Sequence, residues 1–205
     1  VTFIVVAGGI LNTFNFMDGI NGMIGLNAFV SGALWCINRF YCYFIDEQII
    51  NYLLLALIVF NFFNLRKKPI CFAGDVGAIS LATIIVFLLS MLIIKTNNIA
   101  WISLLAVFGV DTVLTIIHRL ILKENIFEAH RSHLFQLLVN ELKFSHLLVS
   151  VIYAVIQAVI IVGLIISRQF ALFYLIGVIL LLSIIYYVLV KKYFYLHQLS
   201  RNAQK

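Results

Sequence analysis

The chain has 205 residues, of which 64% are hydrophobic and 11% charged, with a net charge of +6. Soluble domains run near about 45–50% apolar and about 25% charged, and a domain of this size has too little interior to hide the excess. The composition excludes a soluble globular protein, gives no sign of a nucleic-acid partner and points to the membrane class. Cys36, Cys42 and Cys71 show no metal-ligand spacing and read as small apolar fillers.

In chain order, apolar runs of roughly 20 residues are long enough to cross the hydrocarbon core as helices. They are Leu26–Phe44, Ile49–Leu65, Val76–Ile94, Ile99–Leu120, Leu147–Ile166 and Phe170–Val190. The run Val1–Leu11 reads as the tail of a further span whose beginning lies upstream. The expected fold is all-α: a polytopic transmembrane bundle of six full spans and a partial first helix, forming one domain over residues 1–205. The single proline, Pro69, falls in a basic loop and leaves the spans without a proline kink. Backbone groups in lipid must be bonded within their own segment, which helices achieve.

The basic residues give the orientation. One set of connections holds Arg66, Lys67, Lys68, Arg119, Lys123, Arg131, Lys143, Lys191, Lys192, Arg201 and Lys205; the other holds Arg39, Lys95 and Arg168. The first set is expected on the cytoplasmic face, with the C-terminal tail. Tyr186, Tyr187, Tyr193 and Tyr195 read as an interfacial belt beside Lys191 and Lys192.

Three polar clusters fall on that same side. The first is the run Asn12 to Gly22, in which Asn15, Asp18 and Asn21 recur every three residues. In a helix or tight turn that spacing lines them on one side; a glycine-softened helix end with polar caps is the plainer reading. The second is Phe72-Ala73-Gly74-Asp75-Val76-Gly77, entering a span. Asp75 suits either a helix cap or a hard oxygen ligand for Mg²⁺, and Phe72 suits stacking on a base. The third is His130-Arg131-Ser132-His133. Arg and His donors suit a diphosphate, and loop solvation is the alternative. Asp111 lies inside a span. It is a functional candidate by default, or else a partner of a neighbouring helix or of Arg119.

These clusters, in this order, resemble the polyprenyl-phosphate N-acetylhexosamine-1-phosphate transferases. Asn12–Gly22 is similar to the family's nucleotide and metal-proximal loop, and Phe72–Gly77 to its Phe-Met-Gly-Asp-x-Gly stretch. Asp111-Thr112 with His118-Arg119 is similar to its Asp-Thr…Arg-Arg helix, and His130–His133 to its histidine loop. The resemblance implies transfer of a sugar-1-phosphate from a UDP-N-acetylhexosamine to polyprenyl phosphate, releasing UMP, in a bacterial plasma membrane. The initiating enzymes of O-antigen type are the nearer subtype and the peptidoglycan phospho-MurNAc-pentapeptide translocase the runner-up. Mg²⁺ is the implied cofactor, with Mn²⁺ as a substitute, and a homodimer is a further expectation. Asp75 and Asp18 are the implied metal ligands and, with His133, the catalytic set. Asn12, Asn15, Asn21, Phe72, His130, Arg131 and Asp111 are implied on the nucleotide and substrate side.

Two departures bear on this. Many members carry Asp where Asn21 stands, and the family's Asp-Asp-x-x-x-Lys motif is absent. That motif is expected upstream of Val1, so the 205-residue piece alone is expected to be inactive. A transporter would need polar residues toward the bilayer middle, where only Asp111 is placed; a non-catalytic membrane subunit is the other alternative. A CDP-alcohol phosphotransferase would need further aspartates and an Ala-Arg pair after Asp18-Gly19, which are absent.

Overall fold

A computed structural model describes residues 2–25, 28–66, 68–125 and 132–203. Of the basic set used to orient the chain, Lys67, Arg131 and Lys205 lie outside the described residues. The described chain is all-α. Its helices are α1 (Thr2–Met17), α2 (Ala28–Phe40), α3 (Glu47–Asn64), α4 (Gly74–Thr96), α5 (Ala106–Ile121), α6 (Leu134–Asn140), α7 (His146–Ile166) and α8 (Ala171–Ala203). A 3-10 segment, Ile99–Leu105, leads into α5. Helix α1 lies against α4 and α5, α2 against α3, and α5 against α8. Phe14 and Met17 of α1, Leu34 of α2, Ile85 and Leu88 of α4 and Phe135 of α6 are fully buried at the centre.

Five stretches are long and apolar enough to cross a membrane: Glu47–Asn64, Gly74–Thr96, Ile99–Ile121, His146–Ile166 and Arg168–Tyr195. The run Leu26–Phe44, expected as a sixth full span, instead yields the 13-residue helix α2. At about 1.5 Å per residue that is about 20 Å, short of a hydrocarbon core of about 30 Å. The cause is Asn38, which is buried. Its Oδ1 accepts from the backbone N–H of Phe44 and Ile45, and its Nδ2 donates to the Ile45 carbonyl. A side-chain amide that satisfies three backbone groups lets the chain turn out of the helix. The run that begins the chain goes the other way: α1 continues past Leu11 to Met17 and takes Asn12 and Asn15 into the helix.

The span Ile99–Leu120 is interrupted. Its first turns are 3-10, and α5 starts only at Ala106. Such a junction leaves backbone groups that cannot pair along the helix. Gln157 of α7 takes them: its Oε1 accepts from Val107 N–H at 3.1 Å and its Nε2 donates to Ser103 O at 2.9 Å. Upstream, Asn98 Oδ1 accepts from Ala100 N–H, and Trp101 Nε1 donates to Thr96 Oγ1.

Helix α8 has 33 residues, or roughly 50 Å, so it outruns a bilayer core. Lys191 and Lys192 sit over the rings of Tyr187 and Tyr193, at 5.8 and 5.1 Å from the centroids. That fits the expected interfacial belt, with one correction: Tyr186 is buried, its hydroxyl 3.0 Å from Thr115 Oγ1 of α5.

Replacing Gln157 by Leu leaves Val107 N–H without its partner in an apolar setting and removes one of two donors to Ser103 O, which keeps Ala106 N–H. We expect a loss of roughly 1–3 kcal/mol, measured as thermal unfolding of the purified protein in nanodiscs. Unchanged stability would show that the junction does not need the amide.

Candidate functional site

The end of α1 is where the three polar clusters meet. Asn12 is exposed on α1, while Asn15 is half-buried a turn later. Asp18 and Asn21 fall in the turn that follows the helix, so the three-residue period does not continue as one helical stripe.

That turn is held from three directions. Asn64, at the end of α3, accepts from Gly22 N–H at 2.7 Å and donates from Nδ2 to Cys71 O at 2.8 Å. Asn61, one turn earlier, donates to Gly25 O. Ser150 of α7 donates to Asn21 O at 2.8 Å. Gly22 has φ +86°, and a Cβ there would lie 2.6 Å from Leu65 Cδ2, so both conformation and space call for glycine. At Gly19 a Cβ would press on the Phe135 ring at 3.0 Å.

The Asp75 loop closes on the same turn. Asp75 is exposed in the first turn of α4, preceded by Gly74 in the left-handed region at φ +60°. Ala73 holds the N-cap position with no side-chain cap bond, so Asp75 does not cap α4 from that position. The Asp18 carboxyl lies by the Gly74 backbone N–H and within reach of the Asp75 charge. Burial and then the Asp75 charge raise its pKa above the ordinary carboxylate value, against a lowering by Gly74 N–H. Phe72, three positions before Asp75, has 65% of its surface exposed.

His133 is placed differently from its expectation. It is 1% exposed, at the N-cap of α6, where Gln136 Oε1 accepts from its N–H. Its ring lies between Phe16 and Phe135, each centroid 5.7 Å away. Its Nδ1 is 3.6 Å from Asp111 Oδ1. His130 and Arg131 lie outside the described residues.

Asp111 is also buried. Its Oδ2 accepts from Tyr153 Oη of α7 at 2.7 Å; its Oδ1 accepts from Leu134 N–H at 3.0 Å and from Thr115 Oγ1 at 3.2 Å. Of the open readings for Asp111, the structure supports a bond to neighbouring helices and not a pair with Arg119. Arg119 turns to Glu124, with Nε 3.2 Å from Oε2, and donates to Asn125 O at 2.6 Å. Asp111 thus ties α5, α6 and α7 together under the histidine loop.

Sequence reasoning missed Asn61, Asn64, Ser150, Tyr153 and Gln157. A signal was present. Asn61 and Asn64 are one turn apart at the end of an apolar run, and Ser150, Tyr153 and Gln157 share one face of another. Polar stripes of that kind in a span mark internal partners.

Among the described residues no group of three or more His, Cys, Asp or Glu side chains converges on a metal position. The Asp18–Asp75 pair supplies two hard oxygen donors, which fits Mg²⁺, a cation that typically takes one or two carboxylates and substrate phosphates. An apolar cleft of about 450 Å³ runs between α1, α5 and α8, with Thr13, Thr112 and Ser183 among mostly aliphatic walls.

Five helices of this length and apolar composition mark a membrane protein. Residues 1–94 match the family described as glycosyl transferase family 4. The match takes in the Asp18 turn and the Asp75 loop and ends before α5. No curated protein and no solved structure matches the chain.

The Asp111 bonds can be tested by a double-mutant cycle of Asp111→Ala and Tyr153→Phe. The two changes remove the same bond, so their effects on thermal unfolding should fall short of additivity by about 0.5–3 kcal/mol. Strict additivity would show that the 2.7 Å contact contributes nothing.

Proposed function

We propose that the complete protein transfers an N-acetylhexosamine-1-phosphate from a UDP-sugar to polyprenyl phosphate, at the cytoplasmic face of a bacterial plasma membrane, as the first membrane step of a surface polysaccharide. The observation that carries this reading is the meeting of Asp18 and Asp75 at one end of an apolar bundle, with the exposed Phe72 three positions before Asp75. The family match over residues 1–94 supports transfer to a lipid phosphate in general terms; the sugar and the pathway belong to the proposal.

The chemistry joins two anions. An oxygen of the lipid phosphate attacks the β-phosphorus of the nucleotide sugar, in line with departing UMP. Mg²⁺, when bound, supplies charge neutralisation for the diphosphate. Asp18 and Asp75 would hold it, and the repulsion that raises Asp18 would be relieved by a cation between them. Phe72 would stack on uracil. Asn12, Asn15 and Asn21 would line the nucleotide side, with Asn21 a neutral partner and not a charged ligand. His130 and Arg131 would meet the diphosphate. His133, packed against Phe16 and Asp111, would act by shaping the loop that carries them. The cleft between α1, α5 and α8 suits the prenyl chain of the acceptor, because its walls offer an aliphatic tail the same environment as lipid.

Membranes carrying the complete protein should release UMP from a UDP-N-acetylhexosamine only when both Mg²⁺ and polyprenyl phosphate are present. Release without the lipid would overturn the reading. Asp75→Asn should lower the rate by more than about 100-fold, since even outer partners of metal ligands cost about 10–100-fold. A variant that keeps wild-type activity would remove Asp75 from the metal.

A further inference from the structure

Asn64 joins the two segments that carry the carboxylates. Its single side-chain amide reaches both: Oδ1 accepts from Gly22 N–H in the Asp18 turn, and Nδ2 donates to Cys71 O in the loop before Asp75. Both bonds are short, at 2.7 and 2.8 Å, and the residue is buried. Gly22 lies four positions after Asp18, and Asp75 four positions after Cys71. The amide therefore bridges the turn that carries Asp18 and the loop that leads to Asp75.

The surroundings leave the amide little freedom. Gly22 stands in the left-handed region with Leu65 against its Cα, so the N–H it presents cannot swing away. Asn61 grips Gly25 O but touches nothing in the 68–73 loop that these bonds describe. The two asparagines thus differ in kind: Asn61 anchors the turn to α3, while Asn64 sets turn and loop against each other. Removing an outer partner that fixes a ligand's position typically weakens metal affinity about 10–100-fold.

We propose that Asn64 is a positioning residue that holds the Asp18 turn and the Asp75 loop in register, so that both carboxylates converge on one divalent cation. This rests on the reading of Asp18 and Asp75 as the metal pair. It adds a residue that touches neither metal nor substrate and sets the cation affinity from behind.

Binding of Mn²⁺ to the complete protein in nanodiscs, followed by the loss of the free-ion electron paramagnetic resonance signal, tests this without relying on turnover. Wild type should bind, and Asn64→Ala should bind about 10–100-fold more weakly. Asn61→Ala should lower the thermal unfolding temperature but keep Mn²⁺ affinity within about threefold, well short of that loss. Asn64→Asp retains the acceptor for Gly22 and lacks the donor to Cys71; it should also bind more weakly, and it carries the test if the alanine variant does not accumulate. Wild-type affinity in a folded Asn64 variant overturns the positioning role while leaving the metal pair intact. Equal weakening by Asn61→Ala and Asn64→Ala overturns it too, by reducing both to general packing. Absence of Mn²⁺ binding in the wild type, or binding that survives Asp75→Asn unchanged, overturns the metal pair itself and the proposal with it.

Discussion

Every backbone N–H and C=O that leaves a regular helix in an apolar setting must find a partner inside the chain, because lipid offers none. That constraint accounts for most of the non-helical features of this protein. Where α2 stops, Asn38 takes three backbone groups. Where the Ile99–Ile121 stretch changes from 3-10 to α, Gln157 takes two. Where α1 gives way to a glycine-rich turn, Asn61, Asn64 and Ser150 take three. Where α6 begins, Asp111 takes Leu134 N–H. Except at the end of α2, where Asn38 belongs to the same helix, these side chains come from neighbouring helices and fix which helices must be neighbours.

The site inherits its rigidity from those partners. His133 and Asp111 are part of the packed interior, Asp18 is half-buried, and Asp75, Phe72 and Asn12 face outward. Interior groups that make several bonds have little freedom, and outward groups can meet a ligand. Two carboxylates held near one another repel, and the fold tolerates that repulsion because the Gly74 backbone N–H offsets part of it.

The helical membrane class, five of the spans and the residues of the Asp18 and Asp75 segments, which the fold brings close, were legible in the chain. Long apolar runs have few alternatives in lipid. The clusters were legible because Asp, Asn and His are conspicuous against so apolar a background. The length of α2 was not legible, since the run around Asn38 is apolar enough to pass for a span; only the fold-back of one amide shortens it. Nor was the split between Tyr186, buried on Thr115, and Tyr187, stacked under Lys191, since both read alike one position apart.

By itself the sequence determined what must be buried in lipid, where polar chemistry gathers and which residue types are available to it, because these follow from composition and period along a single segment. Only the tertiary structure decided which of those residues are packed between segments and which face outward. Asp111 and His133 stand out along the chain as polar residues in or beside apolar runs, and the fold buries both; Asn64 looks like an ordinary helix end, yet it bonds to two loops. The physical reason is that a hydrogen bond between segments 42 or 23 residues apart leaves no local trace: its partner is a backbone group that every residue possesses.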